Sequence, residues 1–175
     1  MHVVWEDYRF VEPEIFHCRR NSSNGQWVSS SFGASDTRVS DSQQGGRNPC
    51  IVSSGSSVYI AWSSRRRDGI SFITAAYYNS GSLEWSSSGQ GGSDFLVSHL
   101  AAKKADAPDM LIDLKGQVII VWQDLIGDNF QILTRTINAR LAFGTPIIQL
   151  TRGIFDSKFP SLSLDAMNAD VYVVF

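Results

Sequence analysis

The sequence predicts an all-β fold built from repeated four-stranded units, and two observations support that prediction. An apolar strand that ends in an aromatic residue recurs along the 175 residues, at Trp5, Trp62, Trp122 and Phe175. Helix-forming patterns are nearly absent; only residues 98–107 could wind a turn or two. Four short strands in each unit of about 52–60 residues are typical of β-propeller blades, which repeat around a central axis.

Further landmarks keep the same register in each pass, so chance recurrence is a poor explanation. An isoleucine opens a third strand ten or eleven residues after the first three aromatics, at Ile15, Ile73 and Ile132. An asparagine turn and a second aromatic follow, then an apolar residue with a hydroxyl residue, then a proline. The aromatics predicted to support blade packing are Trp5, Trp62, Trp122, Phe175, Trp27, Trp85 and Phe143.

Each unit is predicted to contain four strands in a fixed order. The first strand follows the proline and alternates apolar with small or polar residues. A turn with Gly or Asn leads to the second strand, which ends in Trp or Phe. The third strand starts near the isoleucine, and the fourth starts at the second aromatic. The units are a partial blade at 1–48, blades at 49–107 and 108–159, and a partial blade at 160–175.

Composition and charge limit the class of function. Hydrophobic residues make up 43% and charged residues 18%, which is ordinary for a folded domain and argues against disorder. A net charge of −2 gives no electrostatic reason to expect nucleic acid as a partner. No apolar run approaches the roughly 20 residues of a membrane span, and no signal peptide is visible. The protein is therefore expected to be intracellular, or the sequence lacks its natural start.

Cysteine and histidine give no sign of a cofactor or a metal. Cys18 and Cys50 are too few for a disulfide framework and are expected to be free thiols. His2, His17 and His99 have no partner at ligand spacing, and no calcium loop is present. We therefore expect no cofactor and no metal site.

The combined pattern resembles a known group of repeats. It reads Pro-x-Ile, then Val-x-x-Trp-x-Asp-x-Arg, then Asn-x-x-Gly-x-x-x-Trp, then Val-Ser. This resembles the propeller-forming repeats of bacterial secreted or surface proteins, which are distantly similar to sialidase-type blades. The resemblance covers essentially the whole chain and implies a propeller fold with an extracellular or cell-surface location. It says little about function, because propellers host binding, scaffolding and hydrolysis alike.

The loops between second and third strands share one face of a propeller with the loops that lead into the next blade. Ligands usually bind on that face. Acidic and basic side chains there could grip a polar or anionic ligand. The competing interpretation is structural: aspartates cap turns, arginines join blades, and residues 65–67 form a solvated turn. The candidate ligand-binding residues are Asp7, Tyr8, Arg9, Arg65, Arg66 and Asp124.

From these features the predicted function is a non-catalytic propeller module that binds a ligand, such as a carbohydrate or a protein, with no catalytic residue assigned. The alternative is a glycoside hydrolase or a sialidase-like enzyme, which needs two carboxylates roughly 5–9 Å apart. Glu6, Asp7 and Asp124 are the available candidates on the ligand face. A structural array in a longer surface protein is the third possibility.

Three complete or nearly complete blades cannot close a ring, because propellers usually have at least four. An open array leaves hydrophobic edges exposed, which soluble proteins avoid. We therefore expect either a homodimer that closes a ring of about six blades, or further blades supplied by a longer chain.

Overall fold

The structure, a computed structural model, consists of β-strands joined by turns and loops. The part of the chain that it describes contains no helix, and so no helix that could span a bilayer. The predicted all-β class is thereby confirmed. The described residues are 1–28, 36–40, 45–79, 84–85, 95–99, 102–138 and 144–175.

These residues form four antiparallel sheets in chain order. The first sheet contains β1 (His2–Asp7), β2 (Glu14–Arg20), β3 (Trp27–Val28) and β4 (Thr37–Arg38). The second contains β5 (Arg47–Ser54), β6 (Ser57–Arg65), β7 (Ser71–Asn79), β8 (Glu84–Trp85) and β9 (Phe95–Leu96). The third contains β10 (Asp106–Ile112), β11 (Val118–Ile126), β12 (Asn129–Ile137) and β13 (Ile148–Gln149), and the fourth contains β14 (Ser161–Asp165) and β15 (Asp170–Val174).

Successive sheets are arranged as propeller blades. In the second and third sheets the strands pair in chain order, and the first strands of successive blades, β5, β10 and β14, contact one another. Strand β1 contacts β5, so the first sheet packs beside the second. This arrangement confirms the predicted β-propeller fold.

Two apolar cores hold the blades together, and both use the alternation of side chains along β6. Val58, Ile60 and Trp62 face the first sheet and pack around Ile15. Tyr59 and Ala61, on the other side of β6, pack toward the third sheet, whose own core residues include Ile120 and Trp122. Because both faces of β6 are covered, this strand is buried from Val58 to Ser64.

The apolar and hydroxyl residues near the end of each repeat have one structural role in all three blades. The hydroxyl oxygen accepts a hydrogen bond from the backbone N–H of the isoleucine that opens the third strand. The apolar residue before it donates its backbone N–H to the carbonyl of the same isoleucine. These contacts keep the fourth strand beside the third. The hydroxyl residues are Ser40, Ser98 and Thr151, and the isoleucines are Ile15, Ile73 and Ile132.

The proline at the start of each first strand follows a residue in the left-handed region. The φ angles are 51° at Asn48, 50° at Ala107 and 55° at Phe159. Left-handed backbone is uncommon for residues other than glycine, so its recurrence before each proline indicates a built feature. The strand register shifts at the same place, between Arg47 and Cys50 and between Asp106 and Asp109. Strands β5 and β10 therefore each begin with a kink.

The fourth strands are shorter than the sequence suggests. In the first two sheets two short pieces pair with the third strand, β3 and β4 with β2, and β8 and β9 with β7. Trp62, Trp122 and Trp85 are buried. Trp27 is 48% and Phe175 62% exposed, because β3 is an outer strand and no described strand pairs with the free edge of β15. Phe143 lies outside the described residues.

Candidate functional site

A cleft of about 450 Å³ lies where the first three sheets meet at their kinked ends. We call it the central cleft. Its walls come from the first residues of β5 and β10 and from the last residues of β1, β6 and β11. The residues that matter for its chemistry are Glu6, Tyr8, Arg47, Asn48, Lys104 and Asp106.

The central cleft is lined by one residue from each of the first three blades. In each blade this residue directly follows the tryptophan of the second strand. These residues are Glu6, Ser63 and Gln123. Each also joins its blade to the segment that enters the next. Glu6 Oε2 accepts the N–H of Asn48 at 3.3 Å, and Gln123 Oε1 accepts the N–H of Phe159 at 2.9 Å. Ser63 donates to the carbonyl of residue 105 at 3.0 Å.

Two carboxylates of the central cleft lie on either side of one asparagine. Asn48 donates its backbone N–H to Glu6 and its side-chain Nδ2 to Asp106 Oδ1 at 2.8 Å. The two carboxylates are therefore linked by Asn48 and the two hydrogen bonds that it donates, which keeps them close together. Tyr8 donates its hydroxyl to the other oxygen of Glu6, and this bond raises the pKa of Tyr8. Glu6 thus accepts a hydrogen bond on both oxygens.

Asp106 was not singled out by sequence reasoning, although its loop was placed on the ligand face. A signal was available. Asp106 stands two residues before Pro108, at the kink that opens the first strand, and Arg47 holds the same position before Pro49. Both side chains line the central cleft. In the second and third sheets, the position two residues before the proline therefore marks a side chain that lines the central cleft.

Asp7 and Arg9 pair with each other outside the central cleft. Asp7 accepts hydrogen bonds from Arg9 Nη2 at 2.6 Å, from the Arg9 backbone N–H at 2.9 Å and from Trp5 Nε1 at 3.1 Å. Arg9 also pairs with Asp36 at 2.8 Å and lies 4.2 Å from the centre of the Phe16 ring. The Arg9 guanidinium holds the pKa of Asp7 well below its usual range. These contacts tie a turn together.

Asp124 is only 4% exposed and caps a loop. Its Oδ1 accepts three backbone N–H groups, from Lys103 at 3.3 Å, Lys104 at 3.0 Å and Leu125 at 2.8 Å. Burial raises the pKa of Asp124, and these hydrogen bonds oppose that rise. The geometry corresponds to the capping interpretation of this residue, not to a side chain presented to a ligand.

The basic turn at residues 65–67 lines a second cleft of about 680 Å³, which we call the arginine cleft. Its opposite wall is the loop at residues 10–14, and its floor is formed by Gly45 and Gly46. Arg47, Arg65 and Gly69 line both clefts, so the two clefts lie side by side. Of the six candidates, Tyr8 and Arg65 border the central cleft and Arg66 lies in the arginine cleft.

The described residues contain no group of three or more His, Cys, Asp or Glu side chains placed to hold a metal ion. Cys18 and Cys50 are both free thiols. Burial raises the pKa of both, so the thiolate form of each is disfavoured.

Comparison with known proteins gives matches in structure but none in sequence. No protein-family model and no curated protein matches the chain, so the bacterial repeat family stays a prediction. The fold is similar to that of Penicillium chrysogenum α-L-arabinanase complexed with arabinobiose, at 12% identity and a TM-score of 0.60. That match covers 93% of this chain and 49% of the arabinanase.

Two other solved structures give similar results. α-L-arabinofuranosidase from Lactobacillus brevis matches at 9% identity and a TM-score of 0.51, over 93% of this chain and 54% of that one. A thermostable family-43 glycoside hydrolase matches at 13% identity and a TM-score of 0.50, over 97% of this chain and 64% of that one. The chain therefore spans about half to just under two thirds of the length of these structures.

These comparisons correct the predicted function. The sequence favoured a non-catalytic ligand- or partner-binding module, and that prediction is wrong, because the three solved structures reported above are glycoside hydrolases. They favour the alternative that the sequence analysis kept, a glycoside hydrolase. The physical reason for the error is that the repeat pattern draws attention to Asp7 and Asp124, which hold the same position in two blades, whereas the nearness of Glu6 to Asp106 depends on how the blades meet.

Proposed function

We propose that the central cleft is part of the active centre of a glycoside hydrolase, with Glu6 and Asp106 as its catalytic carboxylates. The observation that carries the proposal is the placement of these two side chains on either side of Asn48, in a cleft near the propeller axis. The fold shared with an arabinanase and an arabinofuranosidase supports this choice of reaction. An arabinose-containing glycan is the first substrate to test.

Glycoside hydrolysis needs one carboxyl group to protonate the leaving oxygen and a second to act as base or nucleophile. The two groups lie about 5–5.5 Å apart in retaining enzymes and about 6.5–9.5 Å apart in inverting enzymes. One asparagine between Glu6 and Asp106 is compatible with that range. Glu6 accepts hydrogen bonds on both oxygens, so we assign it the role of base. Asp106 is then the acid.

Completion of the site requires more blades than the chain contains. The first sheet leaves Trp5 only partly buried, and the fourth sheet has an open face carrying Tyr172 and Val174, which are 53% and 65% exposed. We propose that these residues are covered by a second copy of the chain or by further blades of a longer protein. Light scattering at micromolar concentration tests the first arrangement: a folded 19.4 kDa monomer contradicts it.

The proposed reaction is tested by release of reducing sugar from arabino-oligosaccharides and from acidic oligosaccharides. Glu6→Gln and Asp106→Asn should each lower kcat by about 10²–10⁴-fold, the usual contribution of a general acid or base. Glu6→Gln should leave the thermal midpoint unchanged, because Gln123 makes the same backbone contact in the third blade.

Asp7→Asn is the matched control, because it removes a carboxylate one residue away whose partners are Arg9 and Trp5. It should retain the activity of the unmodified protein. Equal activity of the Glu6→Gln and Asp7→Asn proteins would contradict the assignment.

A further inference from the structure

The arginine cleft carries more positive than negative charge. Four arginines line it, and of these four only Arg66 has an ion pair within the described part of the chain, with Asp68 at 3.0 Å. Of the two glutamates in the lining, Glu14 is 1% exposed and accepts a hydrogen bond from the Ser40 hydroxyl. Glu12 is the remaining exposed acid. The arginines are Arg47, Arg65, Arg66 and Arg67.

The turn that presents these arginines is ordered by its own backbone. The N–H of Arg66 donates to the carbonyl of Ile70 at 2.8 Å, and the N–H of Gly69 donates to the carbonyl of Arg66 at 3.0 Å. Asp68 accepts the N–H of Ile70 at 3.1 Å. Pre-organisation of the turn reduces the entropy lost when a ligand is bound.

The floor of the arginine cleft is bare backbone, and its composition requires glycine. A Cβ on Gly46 would lie 2.6 Å from the Ile15 side chain and 3.2 Å from Trp62, and one on Gly45 would lie 3.2 Å from the Pro13 carbonyl oxygen. Gly45 also has a φ of 60°. Side chains larger than glycine would therefore disturb the packing of the first two blades.

We propose that the arginine cleft is a subsite for an anionic sugar unit, a uronate or a sulfated sugar, of a glycan whose neighbouring unit lies in the central cleft. This inference rests on the proposed function. Arg47 and Arg65 border both clefts, so a glycan that occupies the two neighbouring clefts would lie against these two arginines. The planar guanidinium matches carboxylate and sulfate oxygens with two parallel hydrogen bonds.

The apolar wall of the arginine cleft favours a sugar over a small inorganic anion. Phe10 is 49% and Val11 99% exposed, and both line the cleft opposite the arginines. A sugar ring presents C–H groups to such a wall while its acidic group reaches the guanidinium groups. An inorganic anion gains nothing from the wall.

The test is titration calorimetry of the full chain with three oligosaccharides of equal length: an oligogalacturonate, a sulfated galactan and a neutral arabinan. One of the two acidic ligands should bind at least about tenfold more tightly than the neutral one, because bidentate charged hydrogen bonds are the strong ones. Its affinity should fall as salt is raised. The preferred acidic ligand distinguishes carboxylate from sulfate.

The double variant Arg65→Gln with Arg67→Gln should weaken that binding by about tenfold or more. The matched control is Lys115→Gln with Arg152→Gln, which removes the same two charges from exposed positions that line neither cleft. Equal affinity of both double variants, or equal binding of neutral and acidic ligands, overturns the proposal. Inorganic sulfate that binds as tightly as the sulfated glycan shows an adventitious anion only.

Failure of this inference is separable from failure of the proposed function. Hydrolysis that depends on Glu6 but is indifferent to the Arg65→Gln, Arg67→Gln change would remove the anionic subsite alone. Acidic glycan binding that depends on the arginines, with no loss of hydrolysis in Glu6→Gln, would remove the catalytic assignment alone.

Discussion

Asp7 and Asp124 occupy the same position of the repeat, two residues after the strand-two tryptophan, yet their surroundings are opposite. Asp7 lies at the open face of the first sheet and is held by Arg9. Asp124 is buried in the third sheet and accepts three backbone N–H groups. The pKa of Asp7 is lowered by its arginine, whereas that of Asp124 is raised by burial. A shared motif position therefore does not imply a shared role.

The position one residue earlier in the repeat shows the reverse: its residue type differs between blades, but its surroundings are the same. Glu6, Ser63 and Gln123 differ in chemistry, but all three line the central cleft and all three hydrogen-bond the segment that enters the next blade. Successive side chains of a strand point to opposite faces, so a shift of one residue exchanges the cleft for the other face of the sheet. At this position the placement of the side chain and its contact with the next blade are the same in three blades, although the residue types differ.

The largest expected effect on stability is at Asp124. Asp124→Ala should lower the free energy of unfolding by about 2 kcal/mol, because buried N–H groups lose their acceptor. Asp124→Asn keeps Oδ1, which takes all three hydrogen bonds, and should cost less than about 1 kcal/mol. Urea unfolding measures both.

Asp7→Ala should lower the free energy of unfolding less than Asp124→Ala does, because the ion pair of Asp7 is at the surface. A larger loss for Asp7→Ala would reverse the comparison.

A smaller effect is expected in the row that lines the central cleft. Gln123→Ala should lower the free energy of unfolding by about 1 kcal/mol, because the N–H of Phe159 loses its acceptor. Gln123→Glu keeps the acceptor oxygen and should be nearly neutral in the same urea titration, as Glu6 already makes this contact in the first blade. A destabilising Gln123→Glu change would show that the two positions are not equivalent.

The smallest expected effect is a pair of opposite pH dependences. The folded-state pKa of Asp7 is lowered, so its stabilising contribution is present above the ordinary value of about 3.9 and is lost as the pH falls below it. The folded-state pKa of Asp124 is raised, so the folded state takes up its proton first and stability rises as the pH falls toward about 4.

Unfolding titrations from pH 7 to pH 3 distinguish the two aspartates. As the pH falls from 7 to about 4, the free energy of unfolding of the unmodified protein should rise relative to that of Asp124→Asn. As the pH falls further, it should decrease relative to that of Asp7→Asn. The same sign of change for both variants would contradict the pKa directions.

The fold could be predicted from the sequence because it repeats. Ile15, Ile73 and Ile132 each have a hydroxyl residue about 20–25 positions later in the sequence. In the structure each isoleucine donates its backbone N–H to that hydroxyl oxygen. The prolines also marked the first strands correctly. By contrast, the left-handed residue before each proline has no common residue type, since Asn48, Ala107 and Phe159 share only their backbone angle.

The candidate site was only partly predictable. Glu6 was recognised as a carboxylate on the correct face, but Asp106 is 100 residues away in the chain and reaches Glu6 only through Asn48 of the intervening blade. The sequence shows the run of arginines at residues 65–67, but only the structure shows that Arg65 and the distant Arg47 line both clefts. Because side chains alternate between the two faces of a strand, the sequence of β1 already places Glu6 and Asp7 on opposite faces.

The sequence by itself determined the strand order, the length of the repeat and the all-β class, because these follow from local periodicity and from turn residues. Tertiary structure alone decided which acidic residues meet. Blades are joined at their first strands, where a left-handed kink and a register shift place residues from three sheets around one cleft. Contacts between repeats depend on the rotation from one blade to the next, and no local pattern records that rotation.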